Sequence, residues 1–118
     1  MLAGIHSVLI WTQDLQRLLP FYRDVLGLKP QMENEGFVVF EASSGAALAL
    51  GVHSEVKGRS RDPNRVMVDF QVDDCQAEYE RLHGHGVEFI RTPSKEDGAI
   101  IATFSDPDGN VLQLFQEA

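Results

Sequence analysis

One cysteine, Cys75, stands in 118 residues. No disulfide can form within the chain, and a reducing, cytoplasmic setting is the expectation. Apolar runs are short. The longest, Ala46 to Val52, falls far below the roughly 20 residues of a membrane-spanning helix. The opening residues, Met1-Leu2-Ala3-Gly4-Ile5-His6, hold neither the basic segment nor the apolar core of a signal peptide, so none is expected. Positive charge is scarce: Lys and Arg number 10 against 18 Asp and Glu, a net charge of -8. That balance argues against nucleic acid and membrane surfaces as partners and is compatible with a neutral or cationic small ligand. It also serves solubility alone. The chain has no Gly-rich phosphate loop, no serine-nucleophile motif and no CxxC pair.

What the chain does have is repetition. The first half reads strand, helix, Gly27, two strands, a turn at Ser43-Ser44-Gly45, then a strand. The second half reads strand, helix, Gly86, two strands, a turn at Asp106-Pro107-Asp108-Gly109, then a strand. The turn glycines align Ala49 with Gln113. The length suits a single domain that buries roughly two-thirds of its unfolded surface. The expected organisation is a first βαβββ module at 1–53, a polar linker at 54–64 and a second module at 65–118. Neither repeat can bury its apolar face alone, so the fold class is α+β, two modules with curved sheets around a shared cavity.

Local signals support this layout. Residues 5–11 are β-rich, and Asp14 can cap the helix that follows. Leu15, Leu18, Leu19, Tyr22, Val25 and Leu26 form one stripe at helical period. Pro20 interrupts it and predicts a kink or a distorted first turn, and Gly27 can end it. Strands are expected at about 29–34, 36–42 and 46–53. In the second half a strand covers 66–72 and a helix 74–84, with Asp73 and Gln76 as a start resembling a capping box. Cys75, Tyr79 and Leu82 form the apolar stripe of that helix.

Strand alternation separates two faces. Leu48, Leu50 and Val52, then Val66, Val68, Phe70 and Val72, then Leu112 and Leu114 make apolar faces for helices to cover. Each such side chain contributes roughly 1.5–3 kcal/mol when buried. The opposite faces carry Ala47, Ala49, Gly51 and His53, then Met67, Asp69 and Gln71, then Val111, Gln113 and Phe115. His6, Val8 and Ile10 are assigned to the same face on the first strand. This mixture suits a cavity lining better than a dry core.

Three features carry a family resemblance: His6, the segment Phe21-Tyr22-Arg23-Asp24-Val25-Leu26-Gly27-Leu28, and the segment Asp106-Pro107-Asp108-Gly109-Asn110-Val111-Leu112-Gln113-Leu114. With the doubled layout, the chain resembles the vicinal oxygen chelate superfamily, which includes glyoxalase I, extradiol dioxygenases, fosfomycin-resistance enzymes and bleomycin-resistance proteins. The resemblance covers essentially the whole chain. It implies the glyoxalase/bleomycin resistance-like fold and a homodimer, with exchange of modules between chains left open. In metal-using members, four strand positions supply His, Glu or Gln. The matching positions here are His6, Ala49, Met67 and Gln113. His6 is a good ligand and Gln113 a weak one. Ala49 has no donor, and the Met67 thioether suits hard divalent ions poorly. The expectation is no cofactor, with a divalent metal held by His6, Gln113 and Asp69 as the alternative.

The expected ligand-binding set is therefore His6, Ala49, Met67, Asp69, Gln71, Gln113 and Phe115. Each member has a second reading. His6 is a ligand or base, or else a hydrogen-bonded cavity residue. Asp69 is a base or an anchor for a cationic group, or pairs with a nearby arginine. Gln71 and Gln113 orient a ligand or satisfy each other. Phe115, Trp11, Phe37, Phe40, Phe89 and Phe104 supply flat walls or plain core. Ala47, Ala49 and Gly51 leave volume for a ligand, or for a side chain of the other module. Lys57, Arg59, Arg61 and Arg65 gate a pocket or form a solvated cluster. Cys75 reads as a buried thiol, and Asp106, Asp108 and Asn110 as turn residues, because no glutamate completes a calcium loop. The leading function is metal-independent binding of a small molecule. The alternative is a metal-dependent lyase or dioxygenase built on His6, and the third reading is a regulatory or scaffold protein.

Overall fold

The computed structural model of the chain describes residues 1–117. The chain divides into two compact units, the first Met1–Gly58 and the second beginning at Arg59. The division falls within the polar segment 54–64. Among the described residues no helix is long and apolar enough to cross a membrane.

The first unit runs β1 (Ser7–Thr12), α1 (Leu15–Pro20), a π-helical turn (Phe21–Val25), β2 (Pro30–Glu33), β3 (Phe37–Phe40) and β4 (Ala47–Val52). Its sheet has the order β1-β4-β3-β2, with β1 parallel to β4 and the other pairs antiparallel. Asp14 caps α1 through its carboxylate, which accepts from the Arg17 amide at 3.3 Å. Leu15, Leu18, Leu19 and Tyr22 are buried, as the stripe requires. Tyr22 stacks on Phe40 at 6.4 Å. Pro20 distorts the helix after itself rather than in the first turn. It has no amide hydrogen for a carbonyl one turn back. The chain then widens, and the Leu26 amide donates to the Phe21 carbonyl at 2.9 Å. Gly27 follows at φ +83° and ends the turn.

The second unit runs β5 (Val68–Gln71), α2 (Cys75–Gly84), β6 (Phe89–Glu96), β7 (Ala99–Ser105) and β8 (Val111–Glu117). Its sheet has the matching order β5-β8-β7-β6, again with a parallel first pair. The βαβββ pattern therefore occurs twice. The cap of α2 is Asp74, which accepts from the Ala77 amide at 3.0 Å. The expected capping box on Asp73 and Gln76 does not form, because Gln76 donates to Glu80 at 3.2 Å instead of reaching back. The Cys75 amide, also free at this helix start, donates to Gln116 Oε1 at 2.7 Å. Cys75 and Leu82 are buried, and Tyr79 meets Phe89 edge-on at 4.7 Å. Asp97 and Gly98 join β6 to β7 with φ of +46° and +82°, the left-handed pair of a two-residue hairpin turn.

The Asp106 carboxylate builds the turn before β8. One oxygen accepts from the amides of Asp108 and Asn110, both at 2.9 Å, and the other accepts from the Asn110 side chain at 2.8 Å. These are turn residues, as the sequence implies. Two expected apolar positions lie outside the cores. Val66 precedes β5 and is 76% exposed, and Val52, the last residue of β4, is also exposed.

Candidate functional site

Register decides which side chains share a face. In the first unit Ser7 pairs with Ala47, Leu9 with Ala49 and Trp11 with Gly51. The expected assignment of His6, Val8 and Ile10 to that face is therefore wrong by one residue. Val8 and Ile10 lie beside Leu48 and Leu50, on the side that α1 covers. His6 lies before β1, is exposed, and its Nδ1 is 3.2 Å from Ser7 Oγ. The two helix caps give the same answer independently. Ser7 precedes Asp14 by as many residues as Met67 precedes Asp74. Ala49 pairs with Leu9 as Gln113 pairs with Asp69. The equivalent positions of the repeat are thus Ser7 and Ala49 in one unit, Met67 and Gln113 in the other.

Those residues do not fit a divalent metal. The first unit offers a hydroxyl and a methyl group. The second offers a thioether and a neutral amide. No carboxylate or imidazole is among them, and these are the donors that hold divalent first-row ions. Among the described residues no group of three His, Cys, Asp or Glu could hold a metal ion.

The small residues of β4 do not leave an open volume either. Ala49 is 1% exposed, and the space above Gly51 is taken by Trp11 and Phe37 of the same unit.

The second unit presents a polar face. Asp69 pairs with Gln113 and Gln71 with Phe115 across β5 and β8, and Gln113 in turn pairs with Thr103 of β7. Strand alternation adds Met67, just before β5, which is partly exposed. Gln113 Nε2 lies 3.2 Å from Thr103 Oγ1 and donates to it, which leaves the amide oxygen as an acceptor. Among the described residues the Asp69 carboxylate has no hydrogen-bond or ion-pair partner. Partial burial pushes its pKa up. Among the described residues no arginine pairs with it, and Arg91, opposite Thr103, pairs with Glu96. Thr103 and Ser7 escaped notice in the sequence. Counting back from the two caps identifies Ser7, whereas Thr103 has no local signal.

Two members of the basic cluster have contacts of their own. Arg59 packs its guanidinium against Gly109 and donates to the Pro107 carbonyl at 3.4 Å. Arg65 pairs with Asp62 at 2.8 Å. Two open surface depressions lie elsewhere. One, about 580 Å³, is lined by residues including Gly27 and Ser43, and the other, about 450 Å³, by residues including Asp74 and Lys95. None of the seven expected ligand residues lines either one.

Comparison with known proteins gives a consistent result. Residues 4–114 match the family model of the Glyoxalase/Bleomycin resistance protein/Dioxygenase superfamily. The uncharacterised protein YraH of Bacillus subtilis (strain 168) is 29% identical over 122 residues, covering 93% of this chain and 95% of that protein. A superfamily member from Sphaerobacter thermophilus is similar in structure, with TM-score 0.77, 26% identity and 98% coverage of both chains. The lactoylglutathione lyase of Agrobacterium tumefaciens shares the fold, with TM-score 0.76, 20% identity and coverage of 98% and 94%.

Proposed function

Because the chain belongs to the glyoxalase/bleomycin resistance protein/dioxygenase superfamily, we propose that it binds a small organic molecule without a complete metal site. The residues assigned to the ligand are Asp69, Gln71, Gln113 and Phe115, with Met67 at the margin. The observation that carries this reading is the face of the second unit on which Asp69, an exposed carboxylate with no partner among the described residues, stands beside Gln113. A carboxylate with no partner in the chain is open to a ligand that donates to it. Gln113 adds an acceptor fixed by Thr103, and Phe115 adds apolar area. Together they suit a molecule with an N–H or cationic group beside an apolar body.

The residues at the repeat positions of each unit, Ser7 and Ala49 in the first and Met67 and Gln113 in the second, support the metal-free form of this reading. The lyase or dioxygenase alternative rests on His6, and the register of β1, which sets His6 off the face of Ser7 and Leu9, favours the metal-free reading over it. Assembly as a homodimer in the cytoplasm completes the proposal.

The test is thermal shift of metal-free protein against a panel of small amines and amides. Binding raises Tm by mass action. The expected result is a rise that survives a chelator and is lost in Asp69→Asn. Stabilisation only by Mn, Ni or Zn, at about one ion per chain, would overturn the proposal.

A further inference from the structure

Trp11 is the single tryptophan of the chain, and its indole lies across the β4 backbone rather than in the core. A Cβ on Gly51 would fall 2.5 Å from Cζ3 of the indole and 2.8 Å from Cδ1 of Phe37. Glycine is therefore what allows the two rings to close over the strand. Phe37 supports the indole at 6.0 Å with a tilt of 38°, and His53 meets it at 5.5 Å and 71°, edge to face. Held on these sides, Trp11 is still 38% exposed.

The hydrogen bond of His53 fixes where its proton sits. The Glu55 amide donates to His53 Nδ1 at 3.1 Å. A ring nitrogen that accepts carries no proton, so neutral His53 is protonated at Nε2. Among the described residues that Nε2–H has no hydrogen-bond acceptor. The first unit thus holds a part-exposed indole with an N–H donor on the neighbouring ring.

We propose that Trp11 and His53 form a binding site for a planar aromatic ring that carries a hydrogen-bond acceptor. The ring stacks on the indole, and the acceptor, a carbonyl oxygen or ring nitrogen, takes the proton of His53 Nε2. This inference rests on the reading of the chain as a small-molecule binder and names a ligand chemistry for the first unit. It does not use Asp69.

The experiment is a titration of the full-length ¹⁵N-labelled protein, following the lone indole N–H resonance and the backbone amides. The probes are coumarin, which is flat and carries a carbonyl, and δ-valerolactone, which has the carbonyl without the aromatic ring. The expected result is a saturable shift of the indole resonance by coumarin and at least tenfold weaker binding of the lactone. His53→Phe keeps the ring contact and removes the donor, and it should weaken coumarin at least fivefold. Gly51→Ala displaces the indole and should weaken it similarly. Asp73→Ala, in the second unit, should leave coumarin binding unchanged. Should Gly51→Ala fail to fold, His53→Phe decides alone, its own fold checked by its amide spectrum. Wild-type affinity in His53→Phe, equal affinity for both probes, or an indole resonance that does not move would each overturn the site. If amines still stabilise the protein through Asp69 in those cases, the binding reading stands without it.

Discussion

Asp69 stands directly across from Gln113 in the parallel pair of β5 and β8, yet the glutamine amide donates to Thr103 and leaves the carboxylate unmatched. The consequence is a measurable pH dependence. Burial raises the Asp69 pKa, so between its unfolded and folded values the native state holds more proton than the unfolded chain. Stability attributable to this group is then lost as pH rises through that window. Asp69→Asn removes the effect. The variant should match wild type below the ordinary carboxylate range and exceed it near neutral pH. The gain should be under about 1 kcal/mol, because the group remains largely in solvent. Urea unfolding at acidic and neutral pH reads this directly, and a variant less stable than wild type at neutral pH would reveal a partner for Asp69.

The two adjacent acids before α2 should behave differently. Asp74 holds the Ala77 amide, and loss of such a cap costs about 1 kcal/mol. Asp73 makes no such bond in the structure. Asp74→Ala should lower stability by about that amount, and Asp73→Ala should stay within about 0.5 kcal/mol of wild type. Equal losses in thermal or urea unfolding would argue against the assignment.

The identity of Gly109 is enforced twice. Its φ of +80° is unfavourable for a side chain, and a Cβ there would lie 2.8 Å from Arg59 Nη2. Gly109→Ala should destabilise by about 1–3 kcal/mol. The double variant with Arg59→Ala should recover only the steric part of that loss, leaving the backbone strain. Full recovery in a double-mutant cycle would show that the strain is absent.

The sequence carries the doubled βαβββ order clearly because it is written in strong local signals. Apolar stripes at helical period, the capping acid Asp14, and Gly27 and Gly109 at left-handed turns each act within a few residues. The polar face of the second unit is legible for a similar reason. Asp69 and Gln71 alternate along one strand, Gln113 and Phe115 along another, and the parallel pair joins them in step. The first unit is harder to read. Side chains in a strand repeat every two residues, so a one-residue error exchanges the two faces completely. His6 attracted the assignment by its chemistry, whereas the distance to the helix cap identifies Ser7. The smallness of Ala49 and Gly51 suggested empty volume. That inference failed because only the pairing of β1 with β4 brings Trp11 over Gly51, and no local pattern encodes that pairing.

The relocation of His6 has its own consequence. An exposed residue ahead of β1, on the strand parity of Val8 and Ile10 rather than of Ser7 and Leu9, has neither the position nor the company of a metal ligand. His6→Ala should leave stability within about 0.5 kcal/mol of wild type, and it should leave amine-induced stabilisation through Asp69 unchanged. Ser7→His is the informative converse. It puts an imidazole at the repeat position of Met67, but Ala49 beside Leu9 still supplies no donor. One imidazole falls short of the several ligands that Ni or Zn requires. The variant should therefore bind neither ion tightly in calorimetry. Tight binding by wild type that His6→Ala abolishes would restore the metal reading and require a different register for β1.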